Sequence, residues 1–332
     1  MDALPPLVDG FGRIGDDLRV SVTDRCNFRC VYCMPAEGLR WLPRDEVLSF
    51  EEILRLVRLF AALGVRTVRL TGGEPLVRAD LPDLVGMIAG ALPEVDLSMT
   101  TNGHRLAELA EPLARAGLRR VNVSLDSLHP ERFHRITRRD ALPRVLNGLD
   151  AADAAGLHPV KLNAVMVRGV NDDEAVAFAD LAKARGWHVR FIEYMPLDAG
   201  HEWTREQVVP AAELLARIAA VHPMRRADEH GPEPAVRWLF ADGAPGSVGF
   251  IASVSEPFCG SCNRLRLTAD GHFRTCLFAL DEVDLRGPLR AGASDAELEA
   301  LIRAAVARKW AGHRINEADF VRPEKSMSQI GG

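Results

Sequence analysis

The chain predicts an α/β fold built from repeated βα units, with a differently patterned C-terminal part. Three observations carry this. Between Leu18 and Met195, short apolar runs that read as strands alternate with amphipathic stretches of helical spacing. The first four strand-like runs lead into Asp24, Gly72-Gly73, Asn102-Gly103 and Asp126-Ser127, residues that punctuate strand–helix junctions. After about Trp203 the long helical stretches give way to short apolar runs broken by Gly-Pro, Asp-Gly and Pro-Gly pairs, the pattern of antiparallel hairpins. Repeated βα units imply right-handed crossovers and a parallel sheet. Six such units can close partly, as an incomplete barrel.

The elements follow in order. Met1 to Asp17, with Pro5, Pro6, Gly10, Gly12 and Gly15, reads as an arm lying over the surface, mobile at its tip. Leu18 to Val22 alternates like a strand and runs into a loop holding three cysteines. Ser49 and Glu52 form a capping box ahead of a helix with the apolar stripe Ile53, Leu56, Val57, Phe60 and Leu63, ended by Gly64. Val65 to Leu70 is a strand leading into Thr71-Gly72-Gly73-Glu74-Pro75. Helices near Leu81–Leu92, Arg105–Ala116, Pro143–Ala155 and Asp172–Arg185 then alternate with strands near Val95–Thr101, Arg119–Leu125, Val160–Val167 and Val189–Met195. Glu206 to Val221 reads as one more helix. Met224 to Ile251, broken at Gly231-Pro232, reads as antiparallel hairpins, and Ala269-Asp270-Gly271 turns a further hairpin. Ala296 to Trp310 is the last helix. A soft boundary near Trp203 divides the chain into 1–203, the partial barrel, and 204–332, an extension too small to stand alone.

The totals narrow the function. The chain has 332 residues, 47% of them hydrophobic, and no run approaching a membrane span. Met1 to Gly10 shows no export signal, so a cytoplasmic location and unpaired cysteines are expected. A net charge of −5 disfavours a general nucleic-acid surface.

The six cysteines fall as three plus three. Cys26-x3-Cys30-x2-Cys33 follows the first strand. Three thiolates so spaced can hold three irons of a cubane cluster and leave the fourth open to a small molecule. A structural zinc site wants four ligands, and no His or fourth Cys lies near in sequence. Cys259-x2-Cys262-x13-Cys276 has His272 inside it, and this second trio alone reads better as a zinc site than as a cluster. Gly72-Gly73 exposes backbone groups at a strand end, but without Gly-Lys-Ser/Thr and with Glu74 it is no phosphate loop.

The C-x3-C-x2-C string, with Tyr32 before its last cysteine, resembles the radical S-adenosylmethionine (SAM) enzymes. The resemblance implies a three-quarter (β/α)6 barrel and a [4Fe–4S] cluster on Cys26, Cys30 and Cys33 whose open iron chelates SAM. It further implies SAM contacts at Tyr32, Gly73, Glu74, Ser124 and Met195. Cys259-Gly260-x-Cys262-Asn263-Arg264-Leu265-Arg266, the third cysteine Cys276 and a terminal Gly331-Gly332 narrow it. Together they resemble the GTP 3′,8-cyclase family of molybdenum cofactor biosynthesis, from Arg19 to Gly332. That resemblance implies a second [4Fe–4S] cluster on Cys259, Cys262 and Cys276 holding the guanine of GTP. It implies substrate contacts at Arg19, Arg69, Thr100, Lys161, Arg264, Leu265 and Arg266, and a tail, Gly331-Gly332, that enters the active site and assists SAM cleavage. The implied reaction is that of a lyase, a radical rearrangement of GTP to 3′,8-cyclo-7,8-dihydro-GTP. Its implied partners are a flavodoxin- or ferredoxin-type electron donor, a downstream cyclic pyranopterin monophosphate synthase, and a second copy in a homodimer; no membrane or nucleic acid is involved. Asp126, Glu193 and the histidines are expected to be structural. A peptide-modifying radical SAM enzyme with an auxiliary cluster is the alternative, and it needs no converging arginines. A non-enzymatic zinc or nucleic-acid binder sits poorly with the acidic net charge.

Overall fold

The computed structural model describes residues 4–228 and 233–331. The expected break at Gly231-Pro232, the first three residues of the arm and Gly332 lie outside the described residues.

The strands are β1 Asp17–Ser21, β2 Thr67–Thr71, β3 Asp96–Thr101, β4 Arg120–Ser124, β5 Lys161–Met166, β6 His188–Glu193, β7 Met224–Arg226, β8 Val236–Phe240, β9 Ser247–Ile251, β10 Arg264–Leu267, β11 His272–Arg274 and β12 Val283–Asp284. They form one sheet in the order β12-β11-β10-β1-β2-β3-β4-β5-β6-β9-β8-β7. The sequence pattern predicts six parallel strands, and the sheet has eight. β10 pairs parallel with β1 and β9 pairs parallel with β6. Both extra strands come from the C-terminal part, which thus extends the barrel wall on each side. β9 belongs to a hairpin with β8, as its turn residues suggest, but its other edge finds β6. Among the described strands the two flanks do not pair with each other, so the barrel stays open.

The helices are α1 Phe50–Ala62, α2 Leu81–Ala91, α3 Leu106–Arg115, α4 Pro130–Thr137, α5 Leu142–Ala154, α6 Ala175–Arg185, α7 Ala211–Ala219, α8 Arg286–Arg290, α9 Asp295–Ala307 and α10 Met327–Ile330. α1 buries one stripe, Ile53, Leu56, Val57 and Phe60, in the core it shares with the outward-facing Leu and Val of β1 and β2. Its capping box is complete: the Glu52 amide donates to Ser49 Oγ (3.2 Å) and the Ser49 amide to Glu52 Oε2 (2.7 Å). α7 is shorter than the expected 206–221 because Pro210 holds the preceding chain extended. Among the described residues no helix is long and apolar enough to cross a membrane.

Strand alternation builds the site. In β1, Leu18 and Val20 are fully buried in the outer core; in β2, Val68 and Leu70 are, and in β4, Val121 and Val123. Arg19, Arg69 and Ser124, of opposite parity, line the barrel interior. The polar inner face needs something polar to hold, since buried charges are stable only when partnered.

The N-terminal arm departs from expectation. Leu7 is buried, Val8 bridges Ile14, and Arg13 donates to the Cys259 carbonyl (2.7 Å) and the Ala311 carbonyl (2.9 Å). An Asp9–Arg13 ion pair at 2.6 Å, almost wholly buried, fixes the turn. The arm therefore anchors the second cysteine loop.

Candidate active site

The first thiol trio sits on the loop after β1, at the C-terminal end of the strands. Its loop and the Gly72-Gly73 turn are packed backbone to backbone. The Gly73 amide donates to the Thr23 carbonyl (2.9 Å) and the Glu74 amide to the Arg25 carbonyl (2.8 Å). A Cβ on Gly72, at φ +146°, would lie 2.2 Å from the Thr23 carbonyl oxygen, and one on Gly73 would lie 2.4 Å from that of Arg25. The two glycines are thus required by close approach to the cysteine loop. Gly72→Ala is expected to cost about 2–4 kcal/mol of stability, because both backbone strain and overlap must be relieved. Urea unfolding measures this.

Glu74 is 1% exposed, and its carboxylate accepts from Thr101 Oγ1 (2.7 Å), the Asn102 amide (2.6 Å) and the Leu76 amide (2.9 Å). Burial outweighs these bonds and pushes its carboxyl up to about 7. The side chain is committed within the protein, leaving only its backbone for a ligand. Tyr32 donates to Asp126 Oδ2 (2.6 Å), and Asp126 also accepts from the Val165 amide (2.9 Å), so the ring is held at the cavity wall.

One cavity fills the barrel. Tyr32, Thr100, Ser124 and Met195 line it, as do all three cysteines of the second trio. Arg19, Arg69, Arg190, Arg264 and Arg266 line it too, and Asp126 is the sole carboxylate among the described lining residues. The arginines are in register: Arg19 stands opposite Arg266 on one neighbouring strand and Arg69 on the other. Like charges directly opposite across strands repel. Burial, then Arg266, Arg69 and Arg264, holds the Arg19 guanidinium well below its ordinary basicity, and its Nε has no hydrogen-bond partner. Burial, then Arg264, brings Arg266 down to about 9. Such a row is stable only around an anion.

Two expected substrate residues lie elsewhere. Leu265 is fully buried in the outer core, its parity opposite to Arg264 and Arg266, so only its backbone faces the cavity side. Lys161, at the start of β5, lines a second cavity with His188, Arg190 and Glu233. Arg190 borders both cavities. Sequence reasoning missed Arg190, although an arginine in the apolar run of β6 carries the same signal as Arg19 in β1. It also missed Phe258, whose ring lies under the Arg264 guanidinium, 4.8 Å from its centroid.

The tail lies between the two thiol trios. Arg266 donates to the Gly331 carbonyl, Met327 lines the cavity, and Ser328 lies close enough to Cys33 to offset part of the rise that burial imposes on its thiol. Gly331 has φ +87°, and a Cβ there would lie 2.2 Å from Ser21 Oγ.

The thiols fit iron–sulfur clusters. All six are free. A closed structural site for one ion wants four ligands, whereas each trio supplies three thiolates, the number that holds a cubane with one iron open. His272 faces Asp270 (3.1 Å) and does not line the cavity. Each trio has the same supporting bond: the Phe28 amide donates to Cys26 Sγ and the Phe278 amide to Cys276 Sγ, both at 3.4 Å. Backbone donors of this kind support a metal-bound thiolate. Burial, then Glu74, pushes Cys26 up to about 12, and burial pushes Cys33 up to about 11, so binding iron would displace protons from this trio. Burial would raise Cys262 as well, but Arg264 and Lys309 bring it down to about 7. Lys309 also donates to the Cys262 carbonyl (2.8 Å) and the Arg264 carbonyl (3.1 Å), tying α9 to the second loop.

Fold and first trio define the radical SAM class. Residues 20–182 match the Radical SAM superfamily and residues 187–315 match Molybdenum Cofactor Synthesis C. The crystal structure of Streptococcus suis SuiB bound to precursor peptide SuiA shares the fold, with a TM-score of 0.63 and 14% identity over 95% of this chain and 76% of that one. A GTP 3′,8-cyclase of Mycolicibacterium smegmatis is 52% identical over 98% of this chain and 92% of its own. That of Streptomyces coelicolor is 49% identical over 98% and 96%. The chain belongs to the GTP 3′,8-cyclase family within the radical SAM superfamily, and membership implies a [4Fe–4S] cluster and SAM.

Proposed function

We propose that this protein is a GTP 3′,8-cyclase acting in molybdenum cofactor biosynthesis by radical SAM chemistry. The observation that carries the reading is the cross-strand row Arg266–Arg19–Arg69 in a cavity that also holds the second thiol trio. A triphosphate would answer the row's charge, and guanine could then reach the second trio.

In this reading Cys26, Cys30 and Cys33 hold the first [4Fe–4S] cluster, and Tyr32, Gly73, the Glu74 backbone, Ser124 and Met195 bind SAM. When bound, the cluster and SAM would supply radical chemistry able to take hydrogen from C3′ of the ribose. Cys259, Cys262 and Cys276 hold the second cluster. Arg19, Arg69, Arg264 and Arg266 grip the triphosphate with forked hydrogen bonds, Lys161 and Arg190 reach its far end, and Thr100 lines its path. The chain's task is to hold C3′ against C8 while the ring closes and to keep water away. Gly331 meets Ser21 on the SAM side and Arg266 on the substrate side, so the tail would couple both halves of the site. Residues 1–203 would supply the SAM side, and 204–332 the second cluster and the tail. An electron donor of flavodoxin or ferredoxin type, a downstream synthase, a homodimer and a cytoplasmic location complete the reading; six free thiols suit a reducing compartment.

Arg264→Ala tests the substrate assignment. A charge-assisted hydrogen bond is worth roughly 1.5–3 kcal/mol, so GTP binding should weaken about 10- to 100-fold with the first cluster intact. Unchanged GTP affinity, by equilibrium dialysis under nitrogen, would remove the arginine from the substrate site.

A further inference from the structure

We infer that Glu233 is a displaceable counter-ion standing where the outermost phosphate of the substrate binds, so that it tunes affinity for a triphosphate. The inference rests on the GTP reading above.

Glu233 Oε2 lies 2.9 Å from an Arg190 nitrogen and Oε1 lies 3.6 Å from Lys161 Nζ. The partners differ sharply in exposure. The Lys161 and Arg190 side chains are 9% and 10% exposed, and that of Glu233 is 61% exposed. Two basic groups committed to the interior thus share one carboxylate, which can return to water at little cost; burial and then Arg190 bring Lys161 down to about 7, so an anion in its place would hold its proton. Among the described residues lining this second cavity, Glu233 is the only carboxylate. His188, also there, is brought down to about 4 by burial and then by Lys161, so near neutral pH it adds no positive charge.

The two cavities meet at this point. Arg190 lines both, Asn163 on β5 stands opposite Arg190 in register, and Pro234, next to Glu233, lines the cavity that holds the arginine row. A triphosphate lying along the row from Arg266 through Arg19 to Arg69 would direct its last phosphate toward Arg190 and Lys161. Burial would raise the Glu233 carboxyl, but Arg190, Lys161, Arg120 and Arg69 outweigh it and lower it, so the carboxylate is ionised and competes as an anion. Of these cations Arg120 is already paired with Asp96. A phosphate carries more charge and more acceptor oxygens than a carboxylate, and it would displace Glu233 outward.

The test is equilibrium binding of GTP and of GMP to iron-loaded wild-type and Glu233→Gln protein under nitrogen. The glutamine keeps the shape and removes the competing charge. GTP should bind roughly 3- to 10-fold more tightly to the variant, with GMP, too short to reach Arg190, unaffected. Equal or weaker GTP binding would overturn the inference and make Glu233 a support for Arg190. Equal tightening for GTP and GMP would also overturn it, because the effect would then be general charge. Failure of wild-type protein to bind GTP would instead overturn the GTP reading.

Discussion

Cys30→Ala protein, reduced with dithionite and supplied with SAM, will form no 5′-deoxyadenosine while iron remains at the second site. In the proposed reading three thiols hold the first cluster and none is spare. Cys30 is half-buried beside the other two thiols, and burial followed by Asp126 pushes its thiol well above the ordinary range, so a bound metal is what would hold it as a thiolate. The loop does not depend on it for shape. The Val31 amide donates to the Ile136 carbonyl (2.9 Å), the Arg29 amide to the Thr137 carbonyl (3.1 Å), and Arg138 to the Arg29 and Met34 carbonyls. The variant should therefore fold and keep its second cluster. Iron analysis would show about half the wild-type content, as expected for one of two equal clusters. Normal deoxyadenosine formation by such protein would contradict the assignment of the first trio.

Gly331→Val is the second large effect. The residue has φ +87°, where a β-branched side chain is strongly disfavoured, and a Cβ would overlap Ser21 Oγ at 2.2 Å. The tail end must leave its place between β1 and β2, losing the bond from Arg266 to the Gly331 carbonyl. Loss of a charge-assisted bond at the site predicts roughly 10- to 100-fold slower product formation. Ser326 and Gln329 still cap the short α10, and Lys325 still pairs with Glu282 at 2.6 Å, so the rest of the tail stays docked. Iron content and thermal stability should match wild type, which separates this outcome from misfolding. Wild-type turnover would mean that the tail plays no part in the reaction.

Much of the site was legible because strands impose a period of two. A strand in a closed parallel core reads as continuously apolar, yet β1 and β2 carry Arg19 and Arg69 between buried Leu and Val. That alternation marks an inner face that must hold something charged. Arg190 in β6 has the same setting and could have been found by the same rule. Leu265 shows the rule from the other side: its neighbours face the cavity, so it cannot. Less legible were the contacts made by distant segments. The pairing of β9 with β6 and β10 with β1 depends on edges left free by the barrel, which no local pattern in those short strands records. The arm's hold on the second cysteine loop through Arg13 is likewise a tertiary fact. The two prolines and the glycines of the arm suggest looseness, whereas the buried Asp9–Arg13 pair gives it a fixed turn.

The most direct test of the account is an anaerobic incubation of fully iron-loaded protein with SAM, dithionite and GTP, read by mass spectrometry. The account predicts 5′-deoxyadenosine together with a new, chromatographically distinct isomer of GTP. Deoxyadenosine without any GTP-derived product, at verified iron occupancy of both trios, would contradict it.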